Sequence, residues 1–159
     1  MATNPLHKAI KDAMGEEDSA RAVELVLDGA DVDEKDSQGR TPLHIVAEYL
    51  SSEFLENDRA DILSALLGEH ANVNAKDNQG RTPLHIGAMK DNHHLVLALV
   101  KFEDPDKTIR DNSGKLAVDY AAPGSEVSKI LQPKTAGKRK RRTYRRKIRK
   151  VKKTRKVFH

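Results

Sequence analysis

Apolar residues recur at helical spacing in three separate stretches of the chain. The stretches are 22–27, 62–67 and 95–100, and apolar side chains return there every three or four residues. This spacing places them on one face of an α-helix. Two Thr-Pro pairs begin further short helical stretches, because Thr41 and Thr82 suit an N-cap and proline suits the first helical turn. The pattern therefore predicts pairs of short amphipathic helices.

Polar turn-forming segments alternate with these helix pairs. They read Asp-Ser-Gln-Gly at 36–39, Asp-Asn-Gln-Gly at 77–80 and Asp-Asn-Ser-Gly at 111–114. Asp and Asn side chains bond the backbone two residues on, and glycine tolerates a positive φ. We call these projecting turns finger 1, finger 2 and finger 3. At the helix ends, Gly29 predicts a left-handed stop, while His70 in the equivalent place predicts a strained or fraying end.

One string of ten residues occurs twice almost unchanged. Residues 35–44 read KDSQGRTPLH and residues 76–85 read KDNQGRTPLH, with a weaker copy, RDNSGKLAVD, at 110–119 and a fragment, NPLH, at 4–7. Such self-similarity indicates a repeat architecture. A base period of about 33 or 34 residues explains the spacing of the copies, if one insertion lies within 51–59. That insertion either forms a loop or extends the preceding helix.

The repeated string resembles the signature of the ankyrin repeat family. Thr-Pro-Leu-His stands at 41–44 and 82–85, preceded by Asp-x-x-Gly-Arg, and the family's helix-end pattern is matched at 29–33 and 71–75. The resemblance covers about residues 4–131. It implies an all-α solenoid of about four helix-turn-helix units with projecting fingers.

The expected domain spans residues 1–133, with units at about 1–36, 37–77, 78–110 and 111–132. The last unit departs from the signature, with Leu-Ala-Val-Asp at 116–119 and a second helix of only about Ser125–Leu131. Terminal repeats are usually atypical because one of their faces meets water. We therefore interpret the last unit as a cap.

Composition argues against several classes of protein. The chain has no cysteine, and it has no apolar run long enough to span a membrane. It begins without the pattern of a secretory signal peptide, so we expect an intracellular protein of the nucleus or cytoplasm. The resemblance assigns His44 and His85 to hydrogen bonds within and between repeats, and His93 and His94 lack metal-ligand spacing. We therefore expect neither an enzyme nor a bound metal or cofactor.

The resemblance implies that a partner protein lies across the fingers and the concave groove. Tyr49 and Met89 are the most suggestive positions, because exposed aromatic and methionine side chains often anchor interfaces. The matching positions on fingers and first helices are Ser37, Gln38, Arg40, Glu48, Tyr49, Asn78, Gln79, Arg81, Met89, Lys90, Asn112, Ser113 and Lys115.

A strongly basic tail follows the repeats. Residues 1–133 carry 14 Lys and Arg against all 24 acidic residues, whereas 134–159 carry 15 Lys and Arg and no acid. Such a segment cannot form a core and should be disordered alone. Its candidate residues for nuclear targeting or nucleic-acid binding are Lys138, Arg139, Lys140, Arg141, Arg142, Arg145, Arg146, Lys147, Arg149, Lys150, Lys152 and Lys153.

Several partners remain open for this tail: phosphate backbones, an import receptor, anionic lipid or the acidic repeats themselves. Tyr144, Ile148 and Val151 would form one apolar stripe if a partner induced a helix. In composition the tail also resembles tails of large DNA virus proteins. Two hypotheses follow. The first is a monomeric protein-binding module whose tail directs it to the nucleus or to nucleic acid. The second is a nucleic-acid-associated protein whose repeats act as a spacer.

Overall fold

The computed structural model describes residues 5–15, 19–49 and 59–132. These ranges are helical, with one isolated bridge between Arg110 and Leu116 and no strand. The prediction of an all-α fold is confirmed. The helices are α1 Pro5–Gly15, α2 Ala20–Leu27, α3 Pro42–Tyr49, α4 Arg59–Gly68, α5 Pro83–Met89, α6 His93–Phe102 and α7 Glu126–Leu131, with a 3₁₀ helix at Ala117–Tyr120.

The helices form two rows around one core. The first row consists of α1, α3, α5 and the 3₁₀ helix, each contacting the next, and the second row contains α2, α4, α6 and α7. Each unit presents too little apolar surface to be stable alone, so stacking neighbours is what creates a continuous core. The most deeply buried apolar side chains come from both rows and include Leu6, Ile10, Leu43, Ile45, Ile62, Leu66, Leu84, Leu95 and Leu99.

The structure agrees with the predicted residues at the starts and the ends of the helices. Thr82 has extended backbone before Pro83, and the Ser125 hydroxyl accepts a hydrogen bond from Ser128 N–H at the start of α7. Gly29 and His70 both have a positive φ, of 90° and 63°. For His70, this left-handed conformation costs about 1 kcal/mol.

The last unit departs from the others in its first helix. Residues Ala117–Tyr120 form a single 3₁₀ turn where the earlier units have α3 and α5. Asp119 stands where those units have histidine, and its Oδ2 accepts the Leu116 N–H at 2.8 Å. Pro123 and Gly124 follow almost at once, so no room is left for a full α-helix.

Some predictions fall outside the described residues. These concern the extra residues at 16–18, the insertion at 51–58 and the basic tail at 134–159.

The fingers are joined by a ladder of backbone and amide hydrogen bonds. Asn78 N–H donates to Gln38 O at 3.0 Å, and the Asn78 side-chain amide donates to Ser37 O at 3.2 Å. Asn112 repeats both bonds on finger 2, at 2.9 Å to Gln79 O and 3.1 Å to Asn78 O. Each finger is thereby held in register with the one before it.

A second set of inter-unit bonds runs through the loops that precede the fingers. Asp33 Oδ1 accepts Asn72 N–H at 2.8 Å, and Asn74 Oδ1 accepts Asp106 N–H at 2.9 Å. Lys35 Nζ also reaches the Lys76 carbonyl at 2.9 Å. These bonds satisfy backbone groups that lie outside the helices and need partners elsewhere.

The ladder predicts unequal effects of alanine at the three finger glycines. Gly39, Gly80 and Gly114 share a φ between 72° and 77°, but an added Cβ at Gly39 or Gly80 would also collide with Asn78 or Asn112 of the next finger. At Gly114 no atom of the described residues lies within 4 Å of the added Cβ. We expect Gly114→Ala to cost about 1 kcal/mol and Gly39→Ala or Gly80→Ala about 2–3 kcal/mol.

Urea unfolding of the full chain followed by circular dichroism measures these differences. Gly114→Ala is the matched control because it shares the backbone strain and lacks the collision. Equal losses at the three positions would show that the ladder contributes nothing to stability.

Candidate interaction surface

An aspartate at the base of each of the first two fingers organises the turn. Asp36 Oδ1 accepts the backbone N–H groups of Gln38 and Arg40, both at 2.9 Å. Its Oδ2 accepts Arg40 Nε at 2.9 Å and Arg40 Nη2 at 2.8 Å. Asp77 makes the same set with Gln79 and Arg81. One carboxylate thus fixes both the turn and the arginine that follows it.

These contacts lower the pKa of both carboxyl groups. Burial raises the pKa of Asp36, but the hydrogen bonds from the Arg40 side chain and the backbone outweigh burial, and the pKa falls below its ordinary value. The pKa of Asp77 is lowered by the same balance, with Arg81 as the donor. Both aspartates are therefore ionised at neutral pH, where they accept every bond described above.

Finger 3 reaches a similar arrangement with different residues. Asp111 Oδ1 accepts the N–H groups of Ser113 at 2.8 Å and Lys115 at 3.0 Å. Lysine lacks the guanidinium fork, and the Tyr120 hydroxyl donates to Asp111 Oδ2 instead, at 2.5 Å. This bond is the main cause that lowers the pKa of Asp111. Lys115 Nζ lies 4.9 Å above the centre of the Tyr120 ring, a cation–π contact.

Two buried histidines link consecutive units. Thr41 N–H donates to His44 Nδ1 at 3.1 Å, so Nδ1 must be the unprotonated nitrogen. Nε2 therefore carries the proton and donates to the Arg81 carbonyl at 3.0 Å. His85 repeats the arrangement, from Thr82 N–H to the Lys115 carbonyl. His44 and His85 are thus neutral, and they make the hydrogen bonds within and between repeats that the ankyrin resemblance implies.

Burial lowers the pKa of both bridging histidines. For His44, desolvation outweighs the bond to the Arg81 carbonyl and the field of Asp77, which act to raise the pKa. For His85, desolvation outweighs the bond to the Lys115 carbonyl and the fields of Asp111 and Asp77. A proton on Nδ1 would also remove the acceptor that the threonine N–H requires.

Fingers 2 and 3 and the end of α5 enclose an open groove of about 260 Å³. Asparagine and glutamine side chains and the hydroxyls of Ser113 and Tyr120 form its walls. Met89 supplies apolar surface, and Arg81 supplies a positive charge. Its lining residues are Asn78, Gln79, Arg81, Met89, Asp111, Asn112, Ser113 and Tyr120. The groove therefore combines hydrogen-bond donors, hydrogen-bond acceptors and one exposed thioether.

Comparison with known proteins agrees with this architecture. A family model described as ankyrin repeats in three copies matches residues 51–142, more than half of the chain. The chain belongs to the ankyrin repeat family. A separate search of curated proteins finds no match to the chain. Ankyrin repeats are protein–protein interaction modules.

The structure places the predicted partner-binding residues of the ankyrin domain in two environments. Most are exposed at finger tips or at the ends of α3 and α5: Ser37, Gln38, Tyr49, Asn78, Gln79, Met89, Lys90, Asn112, Ser113 and Lys115. Arg40, Glu48 and Arg81 are half-buried and form ion pairs. Six of the thirteen predicted residues line the groove together.

Sequence reasoning missed two groove residues, Asp111 and Tyr120. Tyr120 aligns with Ile45 and Ile86, which are buried, so the repeat pattern assigns it to the core. Tyr120, in the 3₁₀ turn, is instead only partly buried: it packs against the core, and its hydroxyl donates to Asp111 Oδ2. The sequence feature that could have indicated an atypical first helix here is Asp119, which stands where the repeated motif has histidine.

Two further findings concern the described ranges alone. No group of three or more His, Asp or Glu side chains that could hold a metal ion occurs in residues 5–15, 19–49 and 59–132. None of the helices in those ranges combines the length and apolar character needed to cross a bilayer.

The neutral histidine bridges predict a loss of stability in mild acid. His44 and His85 bind protons more readily unfolded than folded, so their stabilising contribution is complete above pH 6.5 and declines as the pH falls towards their lowered pKa values. Each can contribute a slope of at most about 1.4 kcal/mol per pH unit.

Urea unfolding at pH 7.5, 6.5, 6.0 and 5.0 measures this slope, and NMR of the two imidazole rings locates their titration. His85→Gln should give a shallower slope than the unsubstituted chain, because only one bridge then titrates. A stability that stays constant over this range, or imidazoles that titrate at or above pH 6.5, would contradict the prediction.

Proposed function

We propose that this ankyrin domain binds another protein across fingers 1–3 and the exposed ends of α3 and α5. It acts as a monomer and without catalysis, as an adaptor or inhibitor. One observation supports the location above all. Tyr49 and Met89 are 48% and 46% exposed, although they are large hydrophobic side chains, and they end consecutive helices of the first row. Exposed anchors of this kind, rimmed by polar groups, are typical of interfaces.

The rigidity of the fingers supports the same proposal. Aspartate, backbone and asparagine bonds fix each finger before any partner arrives, so little conformational entropy is lost on binding. The finger tips meanwhile keep exposed polar side chains, including Gln38, Gln79 and Ser113. A fixed array of exposed donors and acceptors favours recognition by shape and hydrogen bonding.

For the basic tail we propose nuclear targeting or association with nucleic acid. The support is its charge, 15 Lys and Arg with no acid over residues 134–159. Lysine and arginine clusters of this density neutralise phosphates and serve as import signals. In the alternative function, the tail carries all the affinity through phosphate backbones and the ankyrin domain is a spacer.

Alanine at Tyr49 and Met89 tests the ankyrin surface. We expect the double variant Tyr49→Ala/Met89→Ala to lose proteins that the full chain captures from its native cell extract, with affinity falling about 30-fold or more, as for truncated anchor residues. Leu27→Ala is the matched control because Leu27 is also 48% exposed but lies in the second row, on α2.

Quantitative mass spectrometry of the captured proteins, followed by titration of the purified partner, measures the effect. Equal capture by both variants and the unsubstituted chain would show that this surface is not the binding site.

Neutralising part of the tail tests the second proposal. Replacement of Lys138, Arg139, Lys140, Arg141 and Arg142 by glutamine in the full chain removes five positive charges. If all five contact phosphates, the slope of log affinity for plain duplex DNA against log salt should become shallower by about 4.5. The alternative function predicts that no other binding remains once DNA binding is lost, whereas the first function predicts that capture of the partner protein survives.

Fluorescence anisotropy with labelled duplex at 50 mM and 200 mM salt measures the slope, and protein capture by the same variant separates the two functions. If the slope does not change, these five residues do not contact phosphate.

A further inference from the structure

Two arginines in equivalent positions of neighbouring units have different partners. Arg40 is fully paired: Nε and Nη2 contact Asp36, and Nη1 donates to Glu48 Oε2 at 2.6 Å. Glu48 lies eight residues after Arg40, near the end of α3. Arg40 therefore has both edges of its guanidinium group occupied by carboxylates of its own unit.

Arg81 keeps only the first of these partners. Its Nε contacts Asp77 Oδ2 at 2.8 Å and its Nη2 contacts the same oxygen at 2.7 Å. The residue eight positions later is Met89, which offers no carboxylate. Within the part of the chain that the structure describes, Arg81 Nη1 has no acidic partner, and the arginine lines the open groove.

The surroundings of Arg81 oppose an incoming anion less than those of Arg40 do. Asp77 contacts Arg81 itself, and Asp111 directs its Oδ2 to the Tyr120 hydroxyl and its Oδ1 to two backbone N–H groups. Lys115 Nζ lies 4.9 Å from the centre of the Tyr120 ring, so the charges of Arg81 and Lys115 balance those of Asp77 and Asp111. At the first arginine, by contrast, Glu48 joins Asp36 and leaves one negative charge in excess.

We infer that the groove beside Arg81 binds an acidic side chain of the partner protein, an Asp or Glu flanked by an apolar residue. Its carboxylate takes the place on Arg81 that Glu48 occupies on Arg40, and the apolar neighbour packs on Met89. This inference rests on the proposed function and specifies the chemistry of the partner. Carboxylate recognition by a fixed guanidinium is among the stronger polar contacts in proteins.

The Arg40–Glu48 pair supplies a direct way to block this site from within. Met89→Glu places a carboxylate eight residues after Arg81, so the variant should pair Arg81 as Glu48 pairs Arg40 and exclude an acidic ligand. Leu27→Glu is the matched control, since it adds the same charge at an equally exposed apolar position in the second row. Met89→Leu separates loss of the thioether from gain of the charge.

The probe is a phage-displayed library of random twelve-residue peptides, panned on the full chain at 150 mM salt. Selected peptides are then synthesised and titrated by fluorescence polarisation against the four proteins. We expect peptides that share an Asp or Glu beside an apolar residue, with affinity about tenfold lower or more for Met89→Glu than for Met89→Leu, and unchanged within about twofold for Leu27→Glu. The Leu27→Glu control also registers any binding of acidic peptides to the tail, because both variants retain it.

The outcomes separate this inference from the proposed function. Peptides that require Tyr49 and Met89 but show no acidic preference would overturn the role of Arg81 and leave the ankyrin surface in place. Acidic peptides that bind Met89→Glu and Leu27→Glu equally well would also overturn it, because their binding would not depend on the free edge of Arg81. Peptides insensitive to every substitution on the first row would contradict the proposed function as well.

Discussion

Backbone groups in the turns of this chain find their hydrogen-bond partners in the neighbouring unit, and the stack depends on that constraint. His7, His44 and His85 each direct Nε2 to a carbonyl of the following unit, at Arg40, Arg81 and Lys115. Unpaired buried polar groups cost roughly 1–3 kcal/mol each, so a separated unit would lose these bonds as well as its apolar contacts. Packing supplies most of the stabilisation, and the polar bonds fix the register in which the units pack.

The repeated frame also explains how a small number of substitutions creates a specific surface. The finger aspartate, the turn and the following cation recur three times, so a change at one position alters the surface without altering the fold. In the third unit Met89 stands where the second unit has Glu48, so one edge of the Arg81 guanidinium has no carboxylate partner among the described residues. In the fourth unit the Tyr120 hydroxyl contacts the finger aspartate, because Lys115 has no guanidinium group to do so. The distinctive chemistry of the groove therefore arises where the third and fourth units depart from the second.

Most of the fold could be predicted from the sequence, because the signals are local and repeated. The Thr-Pro helix starts, the glycine turns and the left-handed residue His70 each follow from the preferences of one or two residues. The candidate surface was predictable only in outline. Tyr120 lies in a 3₁₀ turn where the earlier units have an α-helix, and Arg40, beside finger 1, pairs with Glu48 eight residues later on α3. Neither of these is encoded in residue spacing alone.

Finger 3 differs from the other two at its outer edge. Asparagine from the next finger covers Gly39 and Gly80, whereas no atom in the described part of the chain lies within 4 Å of the position that a Cβ at Gly114 would take. The carbonyls of Asn112 and Ser113 correspond to those that receive the asparagine of the next finger elsewhere in the stack. The fourth unit nevertheless has Asp119 where earlier units have the bridging histidine, so it can supply the ladder acceptors but not that bridge. Duplication of the third unit, which carries both, would therefore extend the array more readily than addition of a unit after the fourth.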